Sequence, residues 1–328
     1  MNQGNFQIMS LDNKLRILVT GASGFVASGL IKKLAQDPTS YFVIAASRTT
    51  CAQLFDNVKS VKANLLGEGN WADLLSGVDI VIHTAGLTQV EKSSDAERQL
   101  QRVNVEGTLN LAEQAANSGV KRFIFLSSIK VNGETTKVGQ LFTEEDSPNP
   151  VGDYAISKHR AEIGVMRLAK ECNMEVVIIR PPLVYGCGVK GNFEKMLSWI
   201  NRGIPLPLAA IKNKRSLISL ENLVDFIIVS AHHPKAANHI FLVKDDCDLS
   251  TPGMLYRIGE AMGKPVRMIP LPVSWVIFIA SIFGRKAIAQ RLCGSLQADS
   301  SKARLLLGWK PILSIDEGFQ KAVNVLNK

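Results

Sequence analysis

Tyr154 and Lys158 are the two residues whose types and spacing most clearly predict chemistry in this 328-residue sequence. Residues four apart lie on one face of a helix, so a helical Tyr-Ala-Ile-Ser-Lys segment would place the phenol beside the ammonium. A free tyrosine has a pKa of about 10 and exchanges protons poorly at neutral pH. Because a neighbouring ammonium favours the phenolate, we expect Lys158 to lower the pKa of Tyr154, which would then act as a general acid–base.

An apolar strand that ends in two hydroxyls precedes this pair. The run 123–126 is followed by Ser127 and Ser128, and Ser128 lies 26 residues before Tyr154. The Ser128 hydroxyl is suited to orient a substrate oxygen and to share its proton. A Tyr-x-x-x-Lys pair alone is common by chance, so this interpretation depends on a cofactor site elsewhere in the chain.

A glycine-containing loop, Thr20-Gly21-Ala22-Ser23-Gly24-Phe25-Val26-Ala27, supplies the expected cofactor site. It follows an apolar strand and opens a helix. The first glycine permits a tight turn, and the second allows the backbone to approach a pyrophosphate. The helix N-terminus adds free N–H groups and the positive end of the dipole. We expect a dinucleotide cofactor held here by Gly21, Ser23, Gly24, Phe25 and Val26, with Lys158 reaching its nicotinamide ribose.

The end of the second predicted strand bears on which dinucleotide is bound. An NAD site usually has an acidic residue there for the adenosine ribose, whereas this chain has Ala45-Ala46-Ser47-Arg48. A guanidinium can bind a 2′-phosphate through charge-assisted bonds. The sequence therefore favours NADP(H) as the cofactor, and NAD(H) is the alternative. If Arg48 does not bind a 2′-phosphate, it is a solvated loop residue that stacks on adenine.

Short β-branched runs alternate with longer helical patterns over the first 180 residues. Because parallel strands require crossovers, the alternation predicts an α/β fold with a doubly wound parallel sheet of the Rossmann type. We expect a dinucleotide-binding domain over 13–185, with 215–245 returning to it through a strand at 239–243. A smaller, mostly helical substrate lobe would occupy 186–328, partly interleaved with the first domain. The predicted strands are 15–20, 41–46, 78–83, 122–127 and 176–180.

Composition excludes several classes of function. The net charge of +9 comes from scattered residues without a nucleic-acid-binding motif, so no nucleic-acid partner is expected. Five separated cysteines and the lack of a signal pattern predict a reduced, cytoplasmic protein, and the histidines have no metal-ligand spacing. The apolar stretch 271–283 is too short to span a bilayer, which needs roughly 20 residues. We expect a buried or pocket-covering helix there, with contact with a membrane surface as the alternative.

Taken together, these motifs resemble the extended short-chain dehydrogenase/reductase family, in particular its UDP-glucose 4-epimerase-like group. The similarity covers nearly the whole chain. It includes the glycine loop, the catalytic serine, tyrosine and lysine, and three further segments. These segments are His83-Thr84-Ala85-Gly86, Asn104-Val105-Glu106-Gly107-Thr108 and Arg180-Pro181-Pro182-Leu183-Val184-Tyr185-Gly186.

The resemblance implies further site residues and a partner. It implies a UDP-sugar substrate, a homodimer, and similarity to bacterial enzymes of surface polysaccharide pathways. Asn64-Leu65 replaces the Asp-Leu pair that holds the adenine in the family. Additional cofactor contacts are implied at Asn64, Leu65, Thr84, Ala85, Gly86, Asn104, Tyr154, Pro181 and Val184, and substrate contacts at Ser128, Tyr185, Asn192 and Arg215.

Three activities follow from this resemblance, and Arg48 orders them. A reductase must exchange its spent cofactor for a reduced one, and cells supply reducing equivalents for biosynthesis mainly as NADPH. The leading hypothesis is therefore reduction at C4 of a UDP-4-keto-hexose, with or without a 6-deoxy group, or of the corresponding N-acetylhexosamine. The alternative is a UDP-hexose 4-epimerase that retains NAD. A 4,6-dehydratase ranks last, because Ile129-Lys130 stands where an acidic pair would be needed. A remote alternative is a non-catalytic NADP(H)-binding regulator.

Overall fold

The computed structural model describes residues 14–49, 55–66, 71–88, 95–137, 139–189 and 191–323, without the side chain of Asn192. The predicted domain start at residue 13 lies outside the described residues. Within them, seven strands form one parallel sheet: β1 (Leu15–Thr20), β2 (Tyr41–Ser47), β3 (Val58–Lys62), β4 (Ile80–His83), β5 (Arg122–Leu126), β6 (Glu175–Arg180) and β9 (His239–Leu242). Their order in the sheet is β3-β2-β1-β4-β5-β6-β9.

Helices cover both faces of the sheet, as the alternating pattern predicts. Side chains of a strand alternate between faces, so Ile17 and Val19 pack on one face of β1 and Leu18 on the other. The helices are α1 (Phe25–Ala35), α2 (Ala72–Leu75), α3 (Ala96–Leu100), α4 (Gly107–Asn117), α5 (Asp153–Glu171), α6 (Asn192–Asn201), α7 (Leu220–His232), α8 (Thr251–Ala261), α9 (Val273–Ile282), α10 (Lys286–Cys293), α11 (Ser301–Leu307) and α12 (Ile315–Val323). The fold is therefore a Rossmann-type doubly wound α/β fold, and that prediction is confirmed.

The strand order reverses between β1 and β4, which are neighbours in the sheet. Ligands of such sheets bind at the carboxyl ends of the strands at this switch point. The glycine loop follows β1, residues 84–86 follow β4, and Ser128 lies just beyond the neighbouring β5. The fold thus brings three of the predicted motifs to one edge.

The C-terminal part of the chain contributes mainly helices and a second core. A small parallel sheet joins β7 (Leu183–Tyr185) to β8 (Leu217–Ser219), and an apolar cluster contains residues of α6, α8 and α12. The predicted return strand is β9, which pairs with β6 in the main sheet. The division of the chain at residue 185 stays a prediction.

The structure corrects two expectations about local elements. β3 was not expected, since the Val-Lys-Ser-Val-Lys pattern of an edge strand resembles a solvated loop. The expectation of burial for 271–283 is wrong for most of that segment. Although α9 is apolar apart from two serines, Val276 is its one buried residue. High mean hydropathy does not determine how many sides of a helix find a packing partner. Within the described residues, no helix is long and apolar enough to cross a membrane.

Candidate active site

The glycine loop is shaped for close approach of its backbone to another group. Gly21 has a φ of +74°, and a Cβ added there would lie 2.9 Å from the backbone of Ala85. Gly24 precedes α1 as its N-cap and offers no side chain to the free N–H groups of the first turn. Both positions therefore keep the helix N-terminus open for a phosphate.

Residues 84–86 line the opposite side of this opening. The Thr84 hydroxyl donates to the carbonyl of Thr20 at 2.8 Å, which joins the ends of β1 and β4. A Cβ added to Gly86 would lie 3.1 Å from Asn104 Oδ1 and 3.2 Å from Lys158 Nζ. Because Gly86 has no side chain, the polar ends of Asn104 and Lys158 can lie close to the backbone at the cofactor edge.

The other predicted cofactor residues lie around this edge in different environments. Arg48 is exposed immediately after β2, and the Asn64 side chain accepts a hydrogen bond from the backbone of Leu66. Leu65 packs against the start of α4. Pro181 accepts a bond from the N–H of Ile129 at 3.0 Å. The remaining members of the predicted set are exposed or partly buried: Ser23, Phe25, Val26 and Val184.

The amide of Asn104 connects the loop that follows β4 to α5, the helix that contains Tyr154 and Lys158. It accepts from the N–H of Leu87 at 2.8 Å and donates to the Leu87 carbonyl at 2.9 Å and the Ser157 hydroxyl at 3.0 Å. Ser157 in turn donates to the carbonyl of Tyr154. Asn104 lies in a π-helical segment, 101–106, a distortion often found at functional sites. These contacts make it a positioning residue for both elements.

His83 is held as a neutral imidazole between two threonines. Its Nδ1 is 2.7 Å from the Thr20 hydroxyl and its Nε2 is 2.9 Å from the Thr108 hydroxyl, which itself donates to the carbonyl of Asn104. Burial, helped by the charge of Lys158, lowers the pKa of His83 to about 3. His83 is therefore a packing residue beside the site rather than an acid or base.

The three predicted catalytic side chains meet where α5 crosses the end of β5. A side-chain hydrogen bond joins Tyr154 and Ser128, and Ser128 Oγ also accepts from the N–H of Lys130 at 3.3 Å. The Lys158 ammonium donates to the carbonyl of Leu126 at 3.0 Å. A phenol, a hydroxyl and an ammonium thus converge beside the opening for a cofactor.

The prediction that Lys158 lowers the pKa of Tyr154 is wrong when the groups of the protein alone act on the phenol. Burial raises the pKa of Tyr154 to about 12, and only the bond with Ser128 acts in the other direction. Lys158 is itself desolvated, which lowers its pKa to about 8, and its ammonium lies 4.6 Å from the centroid of the Phe125 ring. The ammonium is therefore directed to the strand end rather than to the phenol.

Glu162 and Arg180 form a buried ion pair one turn beyond Lys158 on α5. Arg180 donates through Nε to Glu162 Oε1 at 2.9 Å and through Nη2 to Oε2 at 2.6 Å, and its Nη1 donates to Asn132 at 3.0 Å. The carboxylate also opposes the lowering of the Lys158 pKa. The sequence marks Arg180 only through its motif, and no spacing pattern pairs it with Glu162.

Four charged residues gather on the other side of Tyr154. Lys130 Nζ is 5.7 Å from the centroid of the Tyr154 ring, and burial lowers its pKa, with further contributions from Arg291 and Arg215. Arg215 donates to the carbonyl of Arg291 at 2.6 Å, and Arg291 pairs with Glu134 at 3.3 Å. Sequence reasoning found Arg215 but missed Lys130, although it lies two residues after Ser128. Arg291 has no sequence signal, since α10 supplies it from far along the chain.

Of the remaining predicted substrate residues, the structure describes the side chain of Tyr185 alone, and it lies in the core. Tyr185 is fully buried, packs against Phe193 and Phe319, and donates through its hydroxyl to Asp245 at 2.7 Å. This is the environment of a core residue of the small sheet. Asn192 begins α6, and its side chain lies outside what the structure describes.

The fold and site define a class of enzyme first. A doubly wound parallel sheet with a glycine loop at its switch point, and a serine, a tyrosine and a lysine at the same edge, is a short-chain dehydrogenase/reductase arrangement. Residues 17–243 match the model of the NAD dependent epimerase/dehydratase family. The chain belongs to this family.

Individual relatives agree with this assignment. The chain is 42% identical over 308 residues to a UDP-glucose 4-epimerase of Vibrio cholerae, covering 93% of each chain. It is 33% identical to a dTDP-D-glucose 4,6-dehydratase of Mus musculus, covering 95% of this chain and 89% of the relative. It superimposes on a UDP-glucuronic acid 4-epimerase from Bacillus cereus in complex with NAD with a TM-score of 0.77 at 19% identity, covering 95% and 98% of the chains. The predicted resemblance is confirmed, whereas the reductase hypothesis finds no support among these relatives.

Proposed function

We propose that this protein is an NAD-dependent UDP-hexose 4-epimerase, the activity that ranked second from the sequence. The observation that carries the proposal is the convergence of Ser128, Tyr154 and Lys158 beside the glycine loop, in a chain 42% identical to a UDP-glucose 4-epimerase over nearly its whole length. The Mus musculus dehydratase is a more distant relative. In this chain Ile129 and Lys130, neither of them acidic, follow the catalytic serine.

The residues at the sheet edge fit a nicotinamide dinucleotide. Gly21 and Gly24 leave the start of α1 open for the pyrophosphate, and Gly86 leaves room beside Lys158 for a ribose. When bound, the oxidised cofactor supplies a hydride acceptor and a positive ring that favours the Tyr154 phenolate. Lys158 would hold the ribose, and Asn104 would position the loop 84–88 and α5 against it.

Tyr154 would move the proton at the 4-hydroxyl of the hexose. It removes the proton when the hydroxyl is oxidised and returns it when the carbonyl is reduced on the other face. Ser128 holds the sugar oxygen through its hydroxyl. The raised pKa keeps the Tyr154 phenol protonated at neutral pH, so the positive ring of the bound cofactor is needed to favour the phenolate that removes the proton.

The cationic group beside Tyr154 would bind the nucleotide diphosphate. Arg215 and Arg291 are joined by a hydrogen bond, and Lys130 lies between them and the phenol ring. Guanidinium groups bind phosphate oxygens through paired, charge-assisted bonds. The diphosphate would thus be fixed on one side of Tyr154 and the hexose C4 on the other.

One observation favours a second candidate, an NADPH-dependent 4-keto reductase. β2 ends without a carboxylate, and Arg48 is exposed directly after it, where it can meet a 2′-phosphate. NAD in the Bacillus cereus neighbour supports the other cofactor. We therefore place the epimerase first and keep the reductase as the alternative.

Cofactor retention distinguishes the two candidates. The protein is purified without added nucleotide and denatured, and the released nucleotide is identified by chromatography. The purified enzyme is then incubated with UDP-glucose or UDP-N-acetylglucosamine alone. We expect bound NAD and conversion to an equilibrium mixture of C4 epimers without added cofactor. A nucleotide-free protein that consumes NADPH with a UDP-4-keto-sugar, and does not interconvert the epimers, would contradict the epimerase.

Lys158 predicts a pH dependence of cofactor binding. Its folded pKa of about 8 means that the ammonium loses its proton as the pH rises through that value. If the bound ribose keeps the ammonium charged, affinity falls above pH 8, and the Kd for NAD should rise about tenfold from pH 7 to pH 9. Fluorescence titration of nucleotide-free protein with NAD measures this Kd at each pH. Lys158→Met should bind more weakly and lose this dependence; an unchanged Kd across the range in wild type would exclude the ribose role.

A further inference from the structure

The two-helix element formed by α9 and α10 exposes an unusual amount of apolar surface. Trp275, Phe278 and Ile282 are 59%, 60% and 66% exposed, and Phe283, which follows α9, is 73% exposed. Seven of the sixteen exposed large hydrophobic residues in the described part of the chain lie between Ile269 and Ile288. Contiguous apolar surface of this kind marks an interaction site.

The exposed residues of α9 share one face. Positions 275, 278, 279 and 282 are spaced by three or four residues, so they lie along one side of the helix. The opposite side packs on the C-terminal core through Val276 and Ile277. Ile288 adds to the surface from α10, which packs against α9. We call this surface the α9–α10 face; it consists of Trp275, Phe278, Ile279, Ile282, Phe283 and Ile288.

The charged residues in the stretch of chain that carries the α9–α10 face have a single sign. From residue 261 to residue 298 the chain has five lysines and arginines and no aspartate or glutamate. Lys264, Arg267, Arg285 and Lys286 are exposed. Arg291 is also exposed but pairs with Glu134 from another element. An apolar face bordered by cations is complementary to a surface with an apolar interior and anionic groups at its boundary.

We propose that the α9–α10 face binds the surface of an anionic lipid bilayer, with its aromatic and isoleucine side chains among the acyl chains and Arg285 and Lys286 at the lipid phosphates. Tryptophan and the long basic side chains suit this boundary, because each combines an apolar body with a polar end. A second copy of the chain is a poorer occupant. A self-complementary contact through this face would oppose like charges, which costs binding free energy. This association is peripheral.

Vesicle co-sedimentation of the full chain tests the proposal. We expect binding to vesicles of phosphatidylcholine with phosphatidylglycerol, weaker binding to phosphatidylcholine alone, and loss of binding at high salt. Phe278→Ser combined with Ile282→Ser should reduce the partition coefficient about tenfold or more. The matched control is Leu305→Ser combined with Ile312→Ser, which changes two exposed hydrophobic residues elsewhere. The control should bind like wild type.

A second pair of variants tests the charge contribution. Arg285→Gln with Lys286→Gln should remove the preference for phosphatidylglycerol, whereas Lys235→Gln with Lys310→Gln, which changes two other exposed lysines, should retain most of it. All variants should keep wild-type turnover of UDP-sugars in solution, which shows that they are folded. Absence of wild-type binding to phosphatidylglycerol vesicles would overturn the proposal. So would a concentration-dependent oligomer, measured by light scattering, that the Phe278/Ile282 variant abolishes.

Discussion

Tyr154→Phe is expected to reduce C4 epimerisation by about 10³-fold, because it removes the one oxygen placed to carry the proton of the reacting hydroxyl. The phenol is partly buried and bonded to Ser128, so phenylalanine fills the same space without that oxygen. The ring also keeps its position 5.7 Å from the Lys130 ammonium. The substitution should therefore leave the fold and the cofactor opening intact.

Two measurements separate this chemical loss from a structural one. The rate of UDP-glucose to UDP-galactose conversion gives the effect on turnover, and the NAD content after purification shows whether the cofactor site survives. Ser128→Ala serves as the comparison, since it removes the hydroxyl partner but leaves the phenol; we expect a smaller loss of turnover there. If Tyr154→Phe turned over substrate near the wild-type rate, the acid–base role would be wrong. A loss of bound NAD in the same variant would point to a structural role.

Arg180→Met is expected to cost about 3–5 kcal/mol of unfolding free energy, because it leaves the carboxylate of Glu162 buried without its partner. Both side chains are about 2% exposed, and the pair is held by two short, parallel hydrogen bonds. Urea denaturation monitored by circular dichroism measures the change. The matched control is Arg257→Met, which breaks an arginine–aspartate pair at the surface with Asp316. An exposed pair contributes about 0–1 kcal/mol.

The effect of Arg180→Met should depend on pH in a defined direction. In wild type, desolvation raises the pKa of Glu162, but hydrogen bonds and the guanidinium outweigh it and hold that pKa below its ordinary value. The stabilising contribution of Glu162 is therefore lost as the pH falls through that pKa. In the variant, burial would raise the pKa, so protonation at low pH relieves the cost. The deficit relative to wild type should therefore shrink as the pH falls from 7 toward the ordinary carboxyl pKa of about 4. A deficit that stays constant would exclude an uncompensated carboxylate.

A double variant keeps this prediction testable if Arg180→Met does not fold. Glu162→Leu with Arg180→Met removes both charges and should recover much of the lost stability, since apolar replacement of a buried pair is often tolerated. Because Glu162 lies one turn from Lys158 and opposes the lowering of its pKa, the double variant should also shift the pH dependence of NAD binding to lower pH. A merely structural pair would leave that profile unchanged.

The homodimer and the cytoplasmic compartment expected from the sequence stay predictions. Each has a direct measurement: light scattering for the first and fractionation for the second. Fractionation also tests the proposed role of the α9–α10 face. If this face binds bilayers, part of the protein should sediment with membranes and be released by high salt.

The sequence by itself determined the fold class of this protein and predicted its serine, tyrosine and lysine group. Strand and helix periodicity depend on neighbouring residues, and the glycine loop acts through the backbone conformation of Gly21 and the opening left by Gly24. Ser128, Tyr154 and Lys158 could be predicted because each follows or lies on an element whose end is evident in the chain. The order of strands then brings those ends to one edge.

Only the tertiary structure decided what surrounds the catalytic group. The pairing of Glu162 with Arg180, the approach of Arg291 to Lys130, and the desolvation that raises the pKa of Tyr154 depend on contacts between distant elements. The exposure of α9 was likewise misjudged from its composition. Hydrophobic pattern predicts that a side chain favours burial, but the packing of whole elements determines which sides are covered and which charges meet.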